Sequence, residues 1–156
     1  MHHVGDGPRH LREGCRAACA WISTGARTVT HQTLTIVPAS GKHTTKKNSM
    51  VIRKKGASRF IGQNDVAKAA QADYARQARA QWQGPPLTGA VWMVASFYVS
   101  GEASARPDVS NLVSMLHDAL EGICYLDDAQ VTHCDSYKVR SATGKVQIEV
   151  SIGEDP

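Results

Sequence analysis

Polar and apolar residues alternate from Thr33 to Val37, and the run ends at Pro38, as a half-buried strand would. Met50-Val51-Ile52 and Ser58-Arg59-Phe60-Ile61 read as short strands on either side of a basic turn at Gly56. The period then becomes helical. Asn64 is placed to cap a helix reaching about Trp82, on which Val66, Ala70, Tyr74, Ala78 and Trp82 recur as one apolar stripe. Gly84-Pro85-Pro86 stops it. Residues 90–99 are mostly apolar and rich in valine and aromatics, which predicts a central strand buried on both faces. The strongest helical signal follows: Leu112, Met115, Leu116, Ala119, Leu120 and Ile123 keep the spacing of a core-facing stripe, and Gly122 marks the helix end. Residues 131–136 and 146–152 read as two further strands joined by a hairpin turn at Thr143-Gly144-Lys145. The predicted order, β-β-β-α-β-α-β-β, describes an α/β (α+β) domain: a single mixed sheet with two main helices packed on it.

A chain of 156 residues accommodates one such domain. Its expected extent is residues 32–153, with 1–31, rich in Gly, Arg, His and small residues, as a flexible N-terminal arm. No apolar run approaches the roughly 18 residues of a membrane span, and 15–22 is too short and broken for a signal-peptide core. The expected location is the cytoplasm. Cys15, Cys19, Cys124 and Cys134 form no C-x-x-C pair, so free thiols are expected, and a Cys15/Cys19/His31 metal site would lack a fourth ligand.

Charge changes the picture. Residues 1–106 hold 15 Lys/Arg and 5 Asp/Glu, a balance of +10. Residues 107–156 hold 3 and 9, a balance of −6, and together they make the net +4. A polyanion-binding half beside an acid-rich half suits metal-dependent work on nucleic acid. In the basic half, Lys42, Lys46, Lys47, Arg53, Lys54, Lys55 and Arg59 follow one another with no acid between them, a pattern that tracks phosphates without reading bases. In the acidic half, Asp108 stands at the mouth of the second helix and Asp127-Asp128 just beyond it. A helix of about 12 residues is about 18 Å long. These acids therefore become neighbours only if the next strand turns back beside the helix N-terminus. If it does, their hard oxygens suit Mg²⁺ or Mn²⁺ bound against a phosphodiester. Otherwise Asp108 is a plain cap and Asp127-Asp128 a turn.

The residues around these acids carry a resemblance. Pro107-Asp108-Val109-Ser110-Asn111-Leu112, then Asp118-Ala119-Leu120, then Leu126-Asp127-Asp128-Ala129-Gln130 resembles, in order, the signature of RusA-type Holliday-junction endonucleases. That signature is a D-x-D-N-L-x-x-x-K helix start, a D-A-L segment and a D-D-x-Q strand entry. Thr45-Lys46-Lys47-Asn48-Ser49 resembles the basic loop common in prophage members. The resemblance spans about residues 33–152. It implies a homodimer that binds four-way DNA junctions in recombination and repair and makes paired nicks with Mg²⁺ or Mn²⁺. It also implies catalytic and metal-binding roles for Asp108 and Asp128, with Asp127 assisting or shaping the turn. DNA contacts are expected from Lys46, Lys47, Asn48, Arg53, Lys54, Lys55, Arg59, Arg106 and Lys138.

Two positions depart from the pattern. Ser110 stands where the family has its second aspartate, and Ser114 where it has a lysine. They are i and i+4, so an opposite-charge pair on one helix face is replaced by two hydroxyls. Serine is a poor ligand for a hard cation beside a carboxylate, so reduced cleavage is expected. A non-catalytic junction-binding protein is the competing reading. A general nucleic-acid binder whose acids are only structural is the third.

Overall fold

Among the described residues, four strands form one mixed sheet, and two more stand apart as a hairpin. The computed structural model describes residues 31–45, 50–101 and 107–155. The arm expected at 1–31 lies outside these except for His31, which begins the first strand. The elements are β1 (His31–Ile36), β2 (Met50–Lys55), β3 (Ser58–Gln63), α1 (Asp65–Gln81), β4 (Val91–Val99), α2 (Val109–Leu120), β5 (Val131–Arg140) and β6 (Gln147–Glu154). One turn of 3-10 helix, Asp128–Gln130, precedes β5. The main sheet runs β1-β6-β4-β5, with β6 antiparallel to both neighbours and β5 parallel to β4. The predicted order and class hold.

Each element follows from its local chemistry. The Asn64 side chain accepts the Ala67 amide at 2.8 Å and so starts α1. Gly122, at φ +70°, takes the left-handed conformation that closes the turn after α2. The face of α2 predicted to be apolar is the buried one: Leu112, Met115, Leu116, Ala119, Leu120 and Ile123 meet Val91, Met93, Ala95 and Phe97 of β4 and Ile148, Val150 and Ile152 of β6 in one core. Each large side chain there contributes about 1.5–3 kcal/mol by leaving water.

Three expectations need correction. β4 is fully buried on one face only, because both helices lie on that side and Trp92, Val94, Ser96 and Tyr98 remain half-exposed on the other. The stripe of α1 holds at Tyr74, Ala78 and Trp82, but its first turn faces inward through Ala67, and Val66 is 68% exposed. β5 and β6 do not pair as a hairpin. The chain reverses at Gly144, but β6 crosses to the other side of β4. Burial explains the choice. Ile148, Val150 and Ile152 need an interior position between β1 and β4, and β5, with no fully buried residue, takes the edge.

Candidate nucleic-acid interface and acidic site

Strand direction decides which functional residues share an end of the domain. β1, β4 and β5 all point one way, since β1 and β4 are each antiparallel to β6. α1 runs against them, and a ladder of side chains holds it there. Gln81 accepts the Thr35 amide (2.9 Å) and donates to the Thr35 carbonyl (2.8 Å). One turn earlier, Gln77 does the same to Val37 (2.8 Å each way), and Asp73 accepts the Ala39 amide (3.2 Å). Four helical residues rise about 6 Å and two strand residues about 6.6 Å, so the spacings match. The ladder also covers the free edge of β1, which would otherwise invite another chain. α2 runs against the strands too: just past its C-terminus, the Cys124 carbonyl accepts the Leu87 amide, ahead of β4.

The helix N-termini and the C-terminal ends of β4 and β5 therefore lie together. Asp108, Ser110 and Ser114 sit here on α2, Lys138 and Arg140 near the end of β5, and the β2–β3 hairpin is rooted here through Asn64. His43 is wedged in as well. Its Nε2 lies 2.8 Å from the Tyr98 carbonyl and its ring stands edge-on to Phe97. Burial holds its pKa below the ordinary histidine value; the Tyr98 bond opposes this and the Lys138 charge adds to it.

Asp108 occupies the N-cap position, but its side chain makes no capping hydrogen bond. Its Oδ2 accepts from the Asn111 side-chain amide at 3.4 Å. The exposed carboxylate is thus spent neither on the helix nor on the core. Ser110 and Ser114 are also exposed, on the second residue and the next turn of α2. A lost Asp–Lys pair at these positions would have been a solvated one, worth only a few tenths of a kcal/mol to the fold.

Asp127 and Asp128 lie at the opposite end, where α2 has finished and β5 begins beside Val91. Asp127 caps the 3-10 turn, accepting the Ala129 amide at 2.8 Å, so its carboxylate shapes the chain. Gln130 completes the box. Its Oε1 accepts the Leu126 (2.8 Å) and Asp127 (2.9 Å) amides, and its Nε2 donates to the Leu87 (3.1 Å) and Gly89 (2.7 Å) carbonyls. Asp128 is exposed. Its charge reaches His117, whose pKa is lowered by burial and partly restored by Asp128. His117 packs edge-on against Tyr125, whose hydroxyl donates to the His117 carbonyl at 3.3 Å.

The condition for convergence is unmet within one chain. α2, with 12 residues, separates Asp108 from Asp127-Asp128 by a helix about 18 Å long. Among the described residues, no three His, Cys, Asp or Glu side chains are grouped to hold a metal ion. The donor chemistry suits Mg²⁺ or Mn²⁺; the placement in one chain does not.

Of the expected DNA contacts, Lys54 and Arg59 are exposed and directly opposite each other in the hairpin register, and Lys138 is half-buried on β5. Arg53 and Lys55 belong to β2. Lys46, Lys47, Asn48 and Arg106 lie outside the described residues, as do Cys15 and Cys19. Cys124 and Cys134 are free, and burial pushes the Cys124 thiol up to about 12, which leaves it unreactive. His133 is on the surface, 3.3 Å from Asp135. No described helix is long and apolar enough to cross a membrane.

Sequence reasoning missed the Gln77–Gln81 ladder and the structural role of Gln130. The i, i+4 glutamines on α1 were a signal for the first; nothing local pointed to the carbonyls of Leu87 and Gly89. The family model described as endodeoxyribonuclease RusA matches residues 40–151, more than two thirds of the chain. No curated protein matches it.

Proposed function

The chain belongs to the RusA endodeoxyribonuclease family, whose members resolve Holliday junctions, and from this premise we propose that it is a homodimeric, junction-directed endodeoxyribonuclease with weakened cleavage. The observation that carries the reading is the Asp108 carboxylate, unspent on capping and exposed at the end where Lys138 and the basic hairpin are rooted. Lys54, Arg59 and Lys138, with Lys46, Lys47, Asn48, Arg53, Lys55 and Arg106, would contact the phosphates of branched DNA, and these contacts would dominate affinity. Family members generally depend on a divalent metal. Asp108 and Asp128 are the carboxylates proposed for Mg²⁺ or Mn²⁺; since one chain keeps them apart, no step is routed through the ion. Asp127 is a positioning residue through its cap. The proposed domain is residues 32–153, preceded by the 1–31 arm.

A second reading, a junction-binding protein that does not cut, is favoured by the same separation of the acids and by Ser110 and Ser114. One experiment decides between them. The purified chain is incubated with a synthetic four-way junction and with linear duplex, in Mg²⁺ and in Mn²⁺. The nuclease reading expects slow nicking confined to the junction and faster nicking by Ser110→Asp/Ser114→Lys, by about tenfold or more if an ion-stabilising carboxylate and a charge-stabilising ammonium return. A clear junction shift with no nicking by either protein in either metal would leave the non-catalytic reading.

A further inference from the structure

The β2–β3 hairpin has a feature that phosphate binding alone does not require. It is a two-stranded sheet that joins neither edge of the four-stranded one. A hairpin by itself is marginal in water, and this one exposes apolar surface: Ile52 is 72% and Ile61 70% exposed. The two are direct cross-strand partners, so they form one apolar spot. Two residues nearer the tip, on the same face by strand alternation, Lys54 and Arg59 are direct partners as well. Like charges directly opposite destabilise a hairpin, and no acid occurs anywhere from residue 42 to 64 to relieve them. The hairpin's own sequence leaves these cations to an external anion.

The order of chemistry along this face identifies the occupant. A cationic pair followed one step inward by a branched apolar pair matches a nucleic acid met first at its phosphates and then at its base faces. Proteins that deform DNA insert side chains such as Ile between base steps. At a four-way junction the steps flanking the branch point have lost a stacking neighbour's continuity, so unstacking there costs least. Resting on the junction-directed reading above, we infer that the hairpin is a branch-point wedge, with Lys54 and Arg59 gripping phosphates while Ile52 and Ile61 press between the unstacked bases. A second copy of this chain is the other surface that apolar residues could meet. The uncompensated Lys54–Arg59 pair favours DNA.

The test places 2-aminopurine, whose fluorescence rises on unstacking, beside the branch point of a synthetic junction and, separately, in a linear duplex. The full-length protein should raise the junction signal by about threefold or more and leave the duplex signal nearly unchanged. Ile52→Thr/Ile61→Thr keeps β-branched residues in both strands. It should abolish the rise while preserving junction affinity within about threefold, because the phosphate contacts remain. Ile61→Leu should keep the rise. Lys54→Ala/Arg59→Ala should instead weaken binding to junction and duplex alike and reduce the slope of log affinity against log salt by about 2. If the threonine variant keeps the full rise, the wedge is refuted. If sedimentation shows that it turns a dimer into monomers, the apolar face joins two copies and the wedge is again refuted. A wild-type chain that binds junction and duplex equally overturns the junction reading itself; preference for the junction with no fluorescence rise overturns the wedge alone.

Discussion

Gln130 makes the most informative single target, because one side chain uses all four of its hydrogen-bonding positions. Its Oε1 holds the Leu126 and Asp127 amides and its Nε2 the Leu87 and Gly89 carbonyls, so it ties the turn carrying Asp127 and Asp128 to the chain entering β4. Gln130→Ala removes all four bonds. At a net of about 0.5–1.5 kcal/mol each, with water re-satisfying part of this half-exposed site, the expected loss is about 2–3 kcal/mol. That corresponds to a Tm lower by about 5–10 °C for a domain of this size. Gln130→Glu is the sharper probe. It keeps both acceptor contacts but turns a carboxylate towards two carbonyls, so at pH 7 it should cost at least as much as the alanine. Protonation restores one donor, which means the fold raises the pKa of this glutamate above its unfolded value. The deficit relative to wild type is then full at pH 7 and shrinks as pH falls through the folded pKa. Urea denaturation followed by tryptophan fluorescence between pH 7 and pH 4, each variant compared with wild type at the same pH, measures this. A Gln130→Glu deficit that is constant across the range, or smaller than about 0.5 kcal/mol at pH 7, would refute the four-bond account.

The α1–β1 ladder leads to a related expectation. Gln77→Ala/Gln81→Ala loses four bonds to Thr35 and Val37, offset by a few tenths of a kcal/mol from alanine's helix propensity, for a net loss of about 1–3 kcal/mol. Hydrogen exchange should accelerate selectively at the Thr35 and Val37 amides, and equal acceleration across the sheet would argue against an edge role. Wild-type stability should also depend on pH near neutrality. Burial holds His43 and His117 below the ordinary histidine pKa, so below about 6.5 the unfolded chain binds protons that the folded chain refuses. Stability is fully present above that pH and falls as pH drops towards the folded values. His117→Phe should flatten part of this slope in a denaturation series, and an unchanged slope would mean that His117 is not held neutral.

Much of this protein was legible in local pattern. The stripe from Leu112 to Ile123 and the Asn64 cap depend on residues three or four apart, and such neighbours decide a helix wherever it packs. The motif around Asp108, Asp127 and Asp128 was legible in the same way, because a family signature is a local string. So were the serines at 110 and 114, where the resemblance leads one to expect an acid and a lysine. Strand order was not. The turn at Gly144 was readable, but whether β6 would pair with β5 or cross β4 depended on which strand most needed burial, a competition among segments far apart in sequence. The same competition put Ala67 rather than Val66 into the core at the start of α1 and left Trp92 and Val94 half-covered.

The acidic stretch shows the division most clearly. By itself, the sequence determined that carboxylates flank a helix in a RusA-family chain, with serines at positions 110 and 114. Only the tertiary structure decided what each acid does, because a helix laid against parallel strands must put its two ends at opposite ends of the sheet. Asp108 is left unspent at one end, Asp127 is consumed by its own turn at the other, and Asp128 stands beside His117, about 18 Å of helix from Asp108.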